Sequence, residues 1–208
     1  MQEEKDMSPR PYRMGKRQTA ARQTRARILE AARHFLAGES ETDFSMDAIA
    51  RRADVSRLTI YYQFNSRPGL LEALYDHLAI RGNMQRMAAV FHEPDPFVAL
   101  QNLVRTFVGF WSSDPVVIRR LRGMAALDAE IAEGIRVRDA RRQHAAREIL
   151  RRISLGRKKK LSTAQRNFAA DVFSMLTSFE SYDALARAGH SEAQIIAMVT
   201  RLAQFTAS

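Results

Sequence analysis

From Thr24 onward, apolar residues recur three and four positions apart at Ile28, Leu29, Ala31, Ala32, Phe35 and Leu36. This spacing puts side chains on one face of an α-helix. Gly38 and the polar stretch 39–43 end that helix. A second pattern follows, with Met46, Ile49, Ala50 and Ala53 as its buried stripe and Ser45 as N-cap. Phe44 and Ile49 stand where a hydrophobic staple closes across the first turn. Asp54-Val55 predicts a turn, Ser56 caps a third helix, and Val55 and Ile60 repeat the staple spacing. Ser66 caps a fourth helix that accommodates Pro68 in its first turn, where the N–H has no intrahelical acceptor. Its apolar positions Leu70, Leu71, Leu74, Leu78, Met84, Met87 and Phe91 predict a run to about Phe91.

Glu93-Pro94-Asp95-Pro96 is a firm break, and only helical patterns follow it. They cover 97–111, 115–127, 129–153, 162–188 and 191–207, the last two split by Gly189-His190. No strand-like alternation and no internal repeat occurs, so the fold class is all-α. Residues 1–21 lack hydrophobic periodicity and read as a mobile basic leader. The organisation expected is therefore a leader at 1–21, a helix-turn-helix unit at 22–67, a linking helix at about 67–91 and a helical domain at 92–208.

Hydrophobic residues make up 46% of the 208, enough for a sizeable core. Cysteine is absent, which excludes disulfides and thiolate metal sites. No apolar run approaches the length of a membrane span, and the N-terminus has no signal-peptide stretch, so a cytoplasmic protein without membrane contact is expected. The net charge of +10 suggests a polyanionic partner, but its distribution weakens that argument. Residues 1–67 hold 13 Lys and Arg against 9 acids, whereas residues 119–160 hold 14 against 5. Most of the excess lies outside the helix-turn-helix.

The case for nucleic acid rests instead on residues 45–67. Ser56, Arg57, Thr59, Tyr61 and Tyr62 cannot all be buried on one short helix. A polar, aromatic-bearing helix braced by an apolar one presents side chains to a DNA groove. Arg57 can pair with a guanine edge and Leu58 can touch a thymine methyl. Thr59 can meet a base edge or a phosphate, Ser45 and Arg67 are placed for a phosphate, and Tyr61, Tyr62 and Gln63 for phosphate or sugar contacts. The segment from Arg10 to Arg27 carries seven Lys and Arg and no acid. It reads as a solvated tail or as an arm for the adjacent minor groove.

The run from Val55 to Leu71, Val-Ser-Arg-Leu-Thr-Ile-Tyr-Tyr-Gln-Phe-Asn-Ser-Arg-Pro-Gly-Leu-Leu, resembles the signature of tetracycline-repressor-type (TetR-family) transcriptional regulators. The similarity extends back through Thr24–Leu36. It implies a three-helix DNA-binding domain, a linking helix, and a helical domain that binds a small-molecule effector and forms a homodimer through the last two long helices. It places DNA contacts on Ser45, Met46, Arg57, Leu58, Thr59, Tyr61, Tyr62, Gln63 and Arg67. Three residues depart from the pattern: Asp54 where glycine is usual, Leu58 where a small residue is commoner, and Gln63 where His or Tyr is frequent.

Candidate linings for an effector pocket are Phe107, Phe110, Trp111, Leu121, Met124, Leu127, Phe173 and Leu176, which suit an apolar or aromatic molecule. Candidate dimer-seam residues are Val172, Met175, Phe179, Tyr182, Ile195, Met198, Val199 and Leu202, joined by Phe168 and Phe205. The Arg-rich stretches 136–152 and 157–160 read as a solvated helix face and a basic loop. The expected function is a repressor released from a palindromic operator by its ligand, with no cofactor and no metal. A ligand-independent architectural DNA-binding protein is the rival. An enzyme is not expected, because His34, His77, His92, His144 and His190 are scattered and no phosphate loop or nucleophile elbow occurs.

Overall fold

In a computed structural model, residues 12–38, 44–156 and 162–207 are described, and eleven α-helices and no strand occur among them. The chain divides into two compact units, residues 1–70 and 71–208. The first contains α1 (Tyr12–Ala37), α2 (Met46–Ala53), α3 (Arg57–Phe64) and the start of α4 (Arg67–Arg81), which runs on into the second. Its core is Ile28, Ala32, Leu36, Ile49, Ile60, Phe64 and Leu70, with the Phe35 and Phe44 rings meeting edge to face. At the four staple positions Phe44, Ile49 and Ile60 are buried and Val55 is half-buried.

α1 begins at Tyr12, ahead of the expected start, so residues 12–21 are helical and not part of a mobile leader. Arg, Gln, Lys and Ala are good helix formers. From 17 to 23 they are all exposed, and an exposed helix leaves no periodicity to read. Residues 1–11 of the expected leader and the 157–160 loop lie outside the described residues.

The second unit contains the rest of α4, then α5 (Met87–His92), α6 (Pro96–Ser113), α7 (Pro115–Met124), α8 (Ala129–Leu155), α9 (Thr163–Leu176), α10 (Phe179–Arg187) and α11 (Glu192–Ala207). α6 packs on α8 and α11, and α8 on α9. Leu100, Leu103, Val104, Ile149, Phe173, Ile195 and Val199 form the centre of that core.

Two expected helices are broken. The linking helix stops at Arg81, because Asn83 takes a left-handed φ of 56° and a 3-10 turn at Met84–Arg86 follows. Gly82 lies against Phe110, where a Cβ would sit 2.4 Å from the ring. The expected 162–188 helix breaks at Thr177-Ser178, where Ser178 caps α10 by accepting the Ser181 N–H. The freed Thr177 carbonyl accepts from Trp111 Nε1 at 3.0 Å, and Arg142 donates to the Ser174 carbonyl. A buried tryptophan and a buried arginine thus satisfy the carbonyls that the break leaves open.

Candidate nucleic-acid interface and ligand cavity

α2 is capped by Ser45, which accepts the Ala48 N–H at 3.2 Å. It ends at Asp54, whose left-handed backbone (φ 50°, ψ 55°) lets its N–H bond back to the Ala50 and Arg51 carbonyls. This is the position glycine usually fills, and a short polar side chain tolerates it. Ser56 caps α3 by accepting the Thr59 N–H at 3.0 Å, and its hydroxyl also pairs with that of Thr59 at 2.8 Å.

α3 turns Ile60 and Phe64 inward and leaves Ser56, Arg57, Leu58, Tyr61 and Tyr62 outward, with Leu58 at 59% and Tyr62 at 79% exposure. Thr59, Gln63 and Arg67 are half-buried, and the Arg67 guanidinium lies 5.9 Å from the Phe44 ring centroid. Nine of the ten expected contact residues thus keep a side chain at least partly exposed, Ser45 among them. Met46 is the exception: its side chain is buried in the first unit's core, so it has no exposed side chain to contribute.

Arg57 is held in place rather than loose. Its Nη1 donates to Asp47 Oδ2 at 3.0 Å and its Nη2 to the Tyr61 hydroxyl at 3.3 Å. The Tyr61 hydrogen bond, then the Asp47 charge, hold its pKa above the ordinary arginine value. Asp47 is not among the expected contact residues, and an acid in a helix's first turn also complements the helix dipole. Arg25 is a second surprise. It donates to the Gln63 carbonyl at 2.6 Å and lies 4.2 Å above the Phe64 ring, so this residue of the basic segment braces the end of α3.

The second unit holds a partly open cavity of about 680 Å3. Its walls are Tyr75, Leu78 and Ala79 of α4, Met84, Met87 and Phe91, then Phe107, Phe110 and Trp111 of α6, Ile118, Leu121 and Arg122 of α7, and Ile135, Arg138, Asp139, Arg142 and Ala145 of α8. Of the expected linings, Phe107, Phe110, Trp111 and Leu121 belong to it. Met124, Leu127, Phe173 and Leu176 do not: Leu127 is 96% exposed and Phe173 is sealed in the core.

Arg122 of α7 and Asp76 of α4 apart, the charged groups of the cavity come from the stretch expected to be a solvated face. Arg138 stacks 4.1 Å from the Tyr75 centroid and pairs with Glu72 at 2.9 Å. Arg122 pairs with Asp139 at 2.8 Å and with Glu180 at 2.7 Å, and its guanidinium lies 5.6 Å from the Trp111 centroid. Arg142 is only 7% exposed, and desolvation pulls its pKa below the ordinary arginine value. Burial likewise pushes the Tyr75 hydroxyl up to about 12, while that hydroxyl donates to the Ile131 carbonyl at 3.1 Å.

The expected seam also divides. Phe179, Tyr182, Ile195 and Val199 are buried within this one chain, where Phe179 and Tyr182 join the aromatic cluster around Trp111. Val172 is half-buried. Met175 and Leu202 are exposed at 59% and 50%, Met198 less so, and Phe168 and Phe205 remain exposed at 67% and 82%.

Comparison with known proteins bears on both units. Residues 28–74 match the family described as bacterial regulatory proteins, tetR family. The HTH-type transcriptional regulator UidR of Escherichia coli (strain K12) is 36% identical over 81 residues, which are 39% of this chain and 39% of that protein. The chain therefore matches about two fifths of that relative's length. Among solved structures, NalD, the secondary repressor of the MexAB-OprM multidrug efflux pump in Pseudomonas aeruginosa, superposes with a TM-score of 0.67 at 15% identity, covering 90% of this chain and 96% of that one. LfrR from Mycobacterium smegmatis, solved in complex with proflavine, gives a TM-score of 0.53 at 24% identity over 89% of this chain and 96% of that one. Residues 28–74 are thus similar to the tetR family of bacterial regulatory proteins, and the chain as a whole shares the fold of these solved structures.

Proposed function

We propose that this protein is a sequence-specific DNA-binding transcriptional regulator, a homodimeric repressor released from a palindromic operator when a small apolar or aromatic molecule enters the 680 Å3 cavity. One observation carries the DNA-binding reading. α3 commits only Ile60 and Phe64 to the core and leaves a capped, braced row of Arg57, Leu58, Tyr61 and Tyr62 facing outward. Exposed apolar and aromatic side chains on so short a helix are unfavourable in water alone and fit a partner surface.

Dimerisation supplies the second reader that an operator needs. The exposed Phe168 and Met175 on α9, with Met198 and Phe205 on α11, are the apolar surface available for it. Ligand release has a physical route through α4, which carries Tyr75 and Leu78 of the cavity wall and whose first residues, 67–70, belong to the first unit. The structural similarity to LfrR, solved with proflavine, supports a small-molecule occupant. No described helix is long and apolar enough to cross a membrane, and a DNA partner supports a cytoplasmic location.

Footprinting on the DNA that flanks its own gene tests the reading. A short two-fold-symmetric footprint, lost on Arg57→Ala, is expected. Diffuse protection without a preferred site would favour an architectural role instead.

A further inference from the structure

α1 outruns the core it serves. The helix begins at Tyr12, yet its first buried residues among those described are Ile28 and Leu29, so about 24 Å of helix precedes them. Residues 17–23 are all exposed. Tyr12 to Arg27 hold six Lys and Arg and no acid. On the other arginine-rich surface, that of α8, Arg136 and Arg151 each pair with the glutamate three residues before. Arg17 and Arg22 have no carboxylate within four positions on either side, so no neighbour along the helix can neutralise them. Cations toward a helix's N-terminus also oppose its dipole. An anionic partner would relieve both costs.

Arg25 fixes where this segment stands. Its Nη1 donates to the Gln63 carbonyl at 2.6 Å and its guanidinium lies 4.2 Å from the Phe64 ring centroid. α1 therefore meets the end of α3 at the level of Arg25, beside the exposed Tyr62. Arg22 and Arg17, three and eight positions before Arg25, fall in the same helical stripe. Within the first unit the basic stripe is thus continuous with the outward row of α3. The shape of the element decides which part of a duplex it can meet. A helix with its side chains is about 10–12 Å across, whereas the minor groove is about 6 Å wide. Residues 12–27, being helical, do not fit that groove as an extended arm would. Backbone phosphates lie outside the grooves and accept from arginine whatever the base sequence.

We infer that the first turns of α1 form a second DNA surface, on which Arg17 and Arg22 pair with backbone phosphates flanking the bases that α3 reads. The inference rests on the reading of α3 as the recognition helix. Arg25, occupied by the Gln63 carbonyl, positions the segment against α3. The surface adds affinity that is independent of sequence and lengthens the stretch of duplex each protomer holds.

The double variant Arg17→Gln, Arg22→Gln tests it in the full chain, because it removes both charges and keeps good helix formers at exposed positions. Binding to a fragment of the DNA flanking its own gene is followed by fluorescence anisotropy across a range of salt. Each phosphate contact contributes about 0.9 to the slope of log K against log salt, so a dimer that loses four should lose about 3–4 from the slope. Base preference, read on libraries randomised one position at a time, should stay that of the native protein, in contrast to Arg57→Ala. Ethylated phosphates outside the bases read by α3 should interfere with the native protein and not with the double variant. An unchanged slope and ethylation pattern overturns the α1 surface and leaves the α3 reading standing. A changed base preference in the double variant, or interference from methylated adenine N3 in the flanks, overturns the phosphate assignment. A native protein that binds the fragment with no base preference overturns the α3 reading, while the slope still decides the role of α1. Failure of the native protein to bind the fragment even at low salt overturns both.

Discussion

Replacing Gly134 by alanine sets two effects of similar size against each other. Gly134 lies inside α8, where alanine is favoured over glycine by about 1 kcal/mol. Against that gain, a Cβ at 134 would stand 2.4 Å from Tyr75 Cε2 and 3.0 Å from both its Cζ and its hydroxyl oxygen. Carbon atoms pack best at roughly 3.5–4.0 Å, so the ring would have to retreat by about 1 Å. Tyr75 is poorly placed to do so: it is buried, its hydroxyl is tied to the Ile131 carbonyl, and Arg138 covers its face. Overpacking of this kind costs about 1–3 kcal/mol, rising when the neighbour cannot move. The net expectation is a loss of roughly 1–2 kcal/mol, or a fall in Tm of about 2–8 °C for a chain of this size. Trp111, the only tryptophan, lies in the same unit and reports its melting by fluorescence. In a Tyr75→Leu background the same alanine should become neutral or stabilising, which isolates the contact as the cause. A higher Trp111 midpoint for Gly134→Ala in the native background would mean that helix propensity wins and that the Tyr75 ring is free to yield.

Three further outcomes follow from the geometry. Asp47→Asn should leave stability within about 0.5 kcal/mol, because the ion pair is exposed. It should relax base preference at the operator position read by Arg57, whereas Arg57→Ala should lose about 1–3 kcal/mol of discrimination there. Binding to libraries randomised one position at a time distinguishes this from a uniform affinity change, which would refute a positioning role for Asp47. Tyr75, with its hydroxyl pushed up to about 12 by burial, keeps its proton in the folded state after the unfolded chain has lost it at about pH 10. Its contribution to stability is therefore complete below about pH 10 and lost as pH rises through about 12. Phenolate absorbance should show a late step that Tyr75→Phe removes, and persistence of that step would contradict the assignment. Phe205→Glu, at a side chain exposed on α11, should convert a dimer to a monomer in light scattering without lowering the Trp111 midpoint. An unchanged dimer would place the interface elsewhere.

The helix-turn-helix was legible because its determinants are local. Ser45 and Ser56 cap, Phe44, Ile49, Val55 and Ile60 staple, and each acts within one turn of where it stands in the chain. What hydrophobic spacing could not supply was the difference between surface seam and core on α9 to α11. On α11, buried Ile195, Val199 and Ala203 recur four apart while exposed Met198, Leu202 and Phe205 recur four and three apart, both of them helical spacings, and the packing of α6 and α9 separates the two sets. The end of α9 was invisible for a related reason. Thr177-Ser178 carries no proline or glycine, and its broken geometry depends on Trp111 and Arg142, 66 and 35 residues away in sequence. The end of α4 was different in kind: Gly82-Asn83 stood in the sequence as an ordinary stop signal, and the apolar spacing to Phe91 hid it.

The arginines of α8 show where charge accounting and position part company. Counted together, they read as a solvated face, and for Arg136 and Arg151 that is correct, since each pairs on the surface with the glutamate three residues before it. Arg138 and Arg142 are different because of their register. They fall in the series Ile131, Ile135, Arg138, Arg142, Ala145, Ile149, with steps of four and three that mark a helix's inner stripe. A cation on that stripe cannot be solvated by default, so the fold must supply carboxylates and carbonyls to it. Here they come from Glu72, Asp139, Ser174 and Thr177. Those partners belong to α4, α8 and the end of α9, the same elements that close the cavity and end the helix beside it. The same stripe that builds the core thus also places the cavity's charged donors.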